Sequence, residues 1–179
     1  RHAIRNARVR SAKRLDMYEI KQEKKDDWWD VESLLDLSFA PGREALSSYR
    51  LRDGILPVAE LCLIARDLNG IIGGSIRFWP IQIGSKKAKA LLLGPIAVHP
   101  TRQGEGVGGE LIRSALELAK NDGWTRIVLI GDEIYYQKFG FKKSGFLSFP
   151  PPTNPDRLLY LELKSGAFKG VNGQIQKFE

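Results

Sequence analysis

Hydrophobic residues recur at helical spacing most clearly between the glycines at 104–109 and Gly123. Val107, Leu111, Ile112, Ala115, Leu118 and Ala119 fall on one face, which predicts an amphipathic helix stopped by Asn121-Asp122-Gly123. A second helical pattern, Val31, Leu34, Leu35 and Leu37, predicts a helix over 30–40 that ends at Pro41-Gly42. Residues 43–52 suit a short helix closed by Asp53-Gly54. Strand patterns fill much of the rest. Residues 18–24 alternate weakly, and 61–66 and 71–83 form apolar runs joined through Asn69-Gly70, a hairpin signal. Gly84-Ser85-Lys86-Lys87 turns the chain into a long strand over 88–98. Gly94-Pro95 interrupts that strand. Proline cannot donate to a ladder and glycine weakens one, so a bulge or local splay is expected there. Further strands are predicted over 126–131, 141–144 and 158–163, with a short helix around 134–139 and a loop at Pro150-Pro151-Pro152. Residues 165–179 are polar and glycine-spaced and supply one edge strand or none.

Only one long βαβ unit is visible, residues 91–131, and the elements before it read as antiparallel hairpins. The order therefore predicts a mixed sheet with helices on both faces.

The glycines ahead of the main helix carry the candidate chemistry. A first turn built from glycine presents backbone N–H groups with no side chain in the way. Those groups and the positive end of the helix dipole favour a phosphate. Two cofactor classes fit. Gly104-Glu105-Gly106-Val107-Gly108-Gly109 has the letters G-x-G-x-x-G, and Asp132 ends the next strand at the distance of a ribose contact in a dinucleotide fold. Against that reading, residues 99–103 separate the strand from the first glycine where a dinucleotide fold turns sharply, and repeated βα units are missing.

The second class rests on a resemblance. Gln103-Gly104-Glu105-Gly106-Val107-Gly108 matches the Q/R-x-x-G-x-G/A motif of the GCN5-related N-acetyltransferase (GNAT) superfamily. Ile96-Ala97-Val98-His99-Pro100 resembles that family's cofactor strand and its exit. Tyr135-Tyr136-Gln137-Lys138-Phe139-Gly140-Phe141 resembles its late Y-x-x-x-G-F element, one helix and one strand further on. With Leu93-Gly94-Pro95 and Gly131-Asp132, the set is similar to a bacterial subgroup of acetyltransferases, over roughly residues 17–165.

The resemblance implies a mixed α/β fold, α+β in character. Its central sheet would have six to seven strands, mostly antiparallel, splayed at the cofactor strand. It also implies acetyl-CoA as co-substrate and acetyl transfer to a primary amine. The pantetheine arm would lie along the backbone of Ile96, Ala97 and Val98. Gln103, Gly104, Gly106, Val107, Gly108 and Gly109 would surround the pyrophosphate, Arg102 adding charge. Asp132 would cap the short helix or bind the cofactor arm. Tyr136 takes the position of the acid that assists the leaving thiolate, and Tyr135 packs or lines the substrate side. A binding module that senses acyl-CoA without turnover stays open, because residues 88–98 hold no acidic residue. Asp53, Glu60, Glu133 and His99 are the remaining candidate bases. Phe78, Trp79, Trp28 and Trp29 are candidate walls of an acceptor pocket.

Composition changes this picture little. A chain of 179 residues is one domain by length. No apolar run approaches a membrane span, and the expected location is the cytoplasm. Cys62, the single cysteine, sits in an apolar run and reads as a buried thiol; no residue spacing suits a metal. The net charge is +7, but Arg1, Arg5, Arg8, Arg10, Lys13 and Arg14 against Asp16 alone account for most of it. Residues 1–16 are therefore expected to be a basic extension, with the domain starting at Met17 and 166–179 as tail or edge strand. The expected partner is a small-molecule or protein amine, not nucleic acid or membrane; an oligomer is left open.

Overall fold

The computed structural model describes residues 17–39 and 47–179. The basic extension and the first residues of the helix expected over 43–52 lie outside them. Strands are β1 (Tyr18–Gln22), β2 (Leu63–Asp67), β3 (Ile72–Ile83), β4 (Ala88–Val98), β5 (Arg126–Ile130), β6 (Lys142–Lys143), β7 (Leu147–Ser148), β8 (Leu158–Glu162) and β9 (Gly173–Lys177). Helices are α1 (Trp28–Ser38), α2 (Ser47–Arg50), α3 (Val107–Asn121) and α4 (Glu133–Tyr136), the last continued by a 3-10 turn over Gln137–Phe139.

The main path of the sheet runs β1-β2-β3-β4-β5-β8-β6, all antiparallel except the β4–β5 pair. That pair is parallel because α3 crosses between them. The β2–β3 hairpin turns at Asn69-Gly70 as its sequence predicts. Asp67 Oδ1 accepts from the backbone N–H of Asn69 and Ile71, and Gly70 takes φ +78°. β2 covers one edge of β3 only as far as Ile76. The N–H of Val58 then donates to Phe78 O, and β9 pairs with Ile81–Ile83. Residues 173–177 are thus an added strand, which also meets the short β7 that the sequence pattern did not reveal.

α3 packs on one face of the sheet. Its Val107, Leu111, Ile112, Ala115 and Ala119 are buried with Ile76, Phe78, Leu91, Leu93, Ile127 and Leu129. Each of the larger side chains among them, the alanines excepted, contributes about 1.5–3 kcal/mol of burial. Leu118, also placed on that stripe by the periodicity, is exposed. Gly74 lets the start of α3 approach β3: a β-carbon there would stand 2.8 Å from Val107 Cγ1 and 3.0 Å from Leu111 Cδ1. On the other face α1 buries Val31, Leu34 and Leu35 against Ile64, Ile72 and Ala97. Beneath it, Arg77 donates twice to Glu23 (3.0 and 2.7 Å) and once to Glu32 (2.7 Å). No helix among the described residues is long and apolar enough to cross a membrane.

Candidate active site

The site begins with a break in the sheet. Opposite Arg77 on β3, β4 carries two residues, Gly94 and Pro95, so that Ile76 faces Ile96 but Phe78 faces Leu93. This is the bulge expected from Gly94-Pro95. On its other side β4 pairs with β5 only at Leu91 and Leu92. Beyond Leu92 the two strands part, and Ile130 turns to Leu158 of β8. The β5-facing backbone of β4 from Leu93 onward thus lacks a neighbouring strand, and its polar groups must find partners elsewhere.

A cavity of about 650 Å³ fills this splay. Its floor is Leu92, Gly94, Pro95 and Ile96, with Gly131, Asp132 and Tyr136 across the gap. A second cavity, of about 540 Å³, lies over the start of α3. It is lined by Ile96 and Val98 from β4, by Arg102, Gln103 and Gly104 from the turn, and by Gly106, Val107, Gly108 and Gly109 from the helix start. Nine of the expected binding residues therefore converge. Ala97 does not line it; its side chain is buried against α1, so only its backbone is available to a ligand. Ile96 and Tyr135 line both cavities and join them end to end.

The loop has the geometry an anion needs. Gly104 and Gly106 take φ +81° and +85°, values that favour glycine. Gly106 caps α3 without any side-chain hydrogen bond, leaving the first N–H groups of the helix unclaimed by a capping side chain. Two contacts tie the loop to the β1–β2 edge: Tyr18 donates to Glu105 Oε2 (2.9 Å), and Arg102 to Asp67 Oδ2 (2.8 Å). Arg102 thus spends part of its charge on a carboxylate. Arg113 and Lys138, which the motifs did not reveal, also line this cavity. Arg113 is in the second turn of α3, and Lys138 Nζ lies 4.2 Å from the centre of the Tyr135 ring.

The two tyrosines differ in how many cavities they reach. Tyr136 rests its ring on Gly131, where a β-carbon would meet Tyr136 Cε2 at 2.5 Å. It lines the splay cavity alone, and burial pushes its phenol up to about 12, with Arg157 pulling it back. Tyr135 packs edge-on against Tyr136 and Phe139 and lines the splay cavity. It spans both cavities, and its pKa is raised by burial, against Arg113. Asp132 caps α4: its Oδ1 accepts from Ile134 N at 3.0 Å. Its place is therefore the splay cavity, not the glycine loop.

None of the four candidate bases lines either cavity. His99 Nδ1 accepts from the backbone of Thr101, capping the 3-10 turn before the loop, and Asp53, Glu60 and Glu133 are exposed. Phe78 is core, Trp79 packs against the buried cluster that includes Ile81, Ala90 and Leu92, and Trp28 and Trp29 are exposed on α1. The splay cavity is instead walled by Phe39, Tyr49 and Phe149, with Arg52 and Arg157. No three-residue cluster suited to a metal exists among the described residues.

Comparison with known proteins agrees with this geometry. Residues 59–143, which span the splay and the loop, match the family described as acetyltransferase (GNAT) domain. The uncharacterized N-acetyltransferase YjhQ of Escherichia coli is 30% identical over 131 residues, 72% of each chain. A second uncharacterized N-acetyltransferase of that organism, YhbS, is 28% identical over 83% of this chain and 89% of its own. Its crystal structure in complex with CoA superposes with a TM-score of 0.80 at 26% identity, covering 91% of both chains. A GNAT family acetyltransferase from Brucella melitensis in complex with acetyl-CoA gives 0.65 at 29% identity, over 82% of this chain and 88% of that one.

Proposed function

The chain belongs to the GNAT superfamily of N-acetyltransferases, and from that premise we propose that it transfers acetyl from acetyl-CoA to a primary amine by direct attack. One observation carries the reading: the phosphate-type cavity at α3 and the cavity in the β4–β5 splay are joined through Ile96 and Tyr135. A long ligand with a pyrophosphate at one end and a reactive group at the other fits such a pair. The CoA and acetyl-CoA in the two related structures support that identity.

The residues present fit the co-substrate. The uncapped N–H groups of α3 and the cradle of Gly104 to Gly109 suit the pyrophosphate, with Arg113 and Lys138 at its flank. The open backbone of β4 suits the peptide-like arm. Acetyl-CoA supplies an activated thioester carbonyl and a thiol leaving group.

The chain's own residues do the rest. Unpaired backbone N–H groups of β4 polarise a carbonyl laid against them, lowering the barrier to attack by nitrogen. The apolar walls of the splay cavity disfavour an ammonium and so favour the neutral, nucleophilic amine. Tyr136 holds its proton near neutrality, because its phenol is pushed up to about 12. A free thiol titrates near about 8.5, so the phenol assists sulfur chiefly as a hydrogen-bond donor.

A second reading has an observation in its favour. Asp132 is the only carboxylate lining either cavity among the described residues, and it caps a helix. A sensor that binds acyl-CoA without turnover needs no base. Thiol release from acetyl-CoA, followed across a panel of primary amines, separates the two. Amine-dependent release supports the enzyme. Tight CoA binding with no release above buffer would leave the sensor.

A further inference from the structure

Resting on the acyl-CoA reading of the glycine loop, we propose that Tyr18 is a positioning residue of that loop: its hydroxyl holds the Glu105 carboxylate on the β1–β2 edge and so keeps a negative charge off the bound pyrophosphate. The loop itself poses the problem. Glu105 sits in the middle of Gly104-Glu105-Gly106, a stretch whose bare backbone suits an anion. Gly104 and Gly106 both line the cavity at the start of α3, and Glu105 between them does not. Its Oε2 accepts instead from the Tyr18 hydroxyl at 2.9 Å, and the residue is half-buried there. Without that bond, the carboxylate is free to turn towards the phosphates and repel them.

The reach of Tyr18 is set by the sheet. Tyr18 begins β1 and faces Asp67 in the β1–β2 register. Each member of this facing pair holds one charged side chain from the turn and loop: Tyr18 holds Glu105, and Asp67 Oδ2 accepts from Arg102 at 2.8 Å. The Tyr18 ring crosses to β3 and rests on Gly73, where a β-carbon would stand 2.8 Å from Tyr18 Cε1. Gly73 O in turn accepts from the N–H of His99, at the exit of β4. A side chain at 73 would displace the ring from this path to the loop. The Arg102 guanidinium lies 5.9 Å from the ring centre. Burial, and then the Glu105 contact, push the phenol above its ordinary pKa, against Arg102, so the hydroxyl keeps its proton and stays a donor at neutral pH. A phenol donates to a carboxylate without bringing a charge of its own.

The test is a double-mutant cycle in the full chain. CoA binding is titrated calorimetrically in wild type, Tyr18→Phe, Glu105→Gln and the double variant, at about 0.05 and about 0.5 M salt. Tyr18→Phe keeps the ring on Gly73 and removes only the donor. It should weaken CoA binding by about 10-fold at the lower salt and by less at the higher. Glu105→Gln removes the charge and should tighten binding, by up to about 3-fold. With Gln at 105, the Tyr18→Phe loss should largely vanish, because no charge is left to restrain. An equal loss from Tyr18→Phe with Glu and with Gln at 105 would overturn the proposal, since the tyrosine would then prop the loop whatever its charge. Wild-type affinity in Tyr18→Phe, or weaker binding in Glu105→Gln, would also overturn it. CoA that fails to bind the wild-type chain would overturn the acyl-CoA reading beneath the proposal, and the proposal with it.

Discussion

The hydroxyl oxygen of Tyr135 stands 3.3 Å from the point a β-carbon on Gly108 would occupy. The late tyrosine pair and the glycine loop are separated by α3 and β5 in sequence, yet one tyrosine closes over the first turn of α3. Tyr135 lines both cavities and Gly108 the one at the start of α3, so the absence of a side chain at 108 matters for both the anion and the tyrosine.

Gly108→Ala should therefore weaken CoA binding by about 10-fold or more, and Gly108→Val should abolish it, by calorimetric titration. Melting without ligand should change little, because the crowded neighbours are side-chain atoms, Tyr135 Oη and Val98 Cγ2. Wild-type affinity in Gly108→Val would place the phosphate cradle elsewhere.

Tyr136→Phe should lower kcat by about 10- to 1,000-fold with little change in CoA affinity, since only the O–H is lost. Tyr135→Phe should be milder on kcat. Full activity in Tyr136→Phe beside a dead Tyr135→Phe would exchange their roles.

The same phenol makes stability depend on alkaline pH. Its folded pKa, about 12, lies above its ordinary value of 10, so the folded state holds this proton after the unfolded state has lost it. The contribution is intact below pH 10 and is lost as pH rises towards about 12. Cys62, raised by burial from 9 to about 11, acts in the same direction one unit lower. Denaturant unfolding from pH 8 to 12 should show stability falling, less steeply in Tyr136→Phe.

How far the site was legible follows from what each residue announces. Gly94-Pro95 announced the bulge because both residues oppose a ladder, and the glycines at 104–109 announced an anion cradle because only a bare backbone suits one. β7 was invisible, being two residues long and apolar in only one of them. Arg113 and Lys138 were hidden because a cation on a helix ordinarily reads as solvated surface. Phe39, the Tyr49–Arg52 segment and Arg157 come from three separate places in the chain, and nothing in their local pattern tells of the cavity they share. The tyrosine pair shows the limit of a motif: it located α4 but not which ring would meet the loop.

Arg113→Ala and Lys138→Ala should each weaken CoA binding more than Arg102→Ala does, and reduce its salt dependence more. Arg102 is already paired with Asp67, whereas Arg113 is 4.0 Å from Glu110 and Lys138 lies over an aromatic ring. Titrations at two salt concentrations decide this. A larger effect from Arg102→Ala would mean the ligand draws it away from Asp67.

Arg77→Ala should destabilise the fold by about 3 kcal/mol, read by denaturant unfolding, because it leaves Glu23 and Glu32 facing each other in a largely buried site. Arg77 also stands opposite the bulge, so loss of CoA affinity is expected alongside. A change within about 0.5 kcal/mol would show that water replaces the guanidinium there.

The most direct measurement is thermal melting of the purified chain with CoA, acetyl-CoA and, separately, NAD. A ligand at ten times its dissociation constant stabilises by about 1.4 kcal/mol. Melting should rise with CoA and acetyl-CoA and stay unchanged with NAD. No shift with excess CoA beside a clear shift with NAD would contradict an acyl-CoA site in the β4–β5 splay.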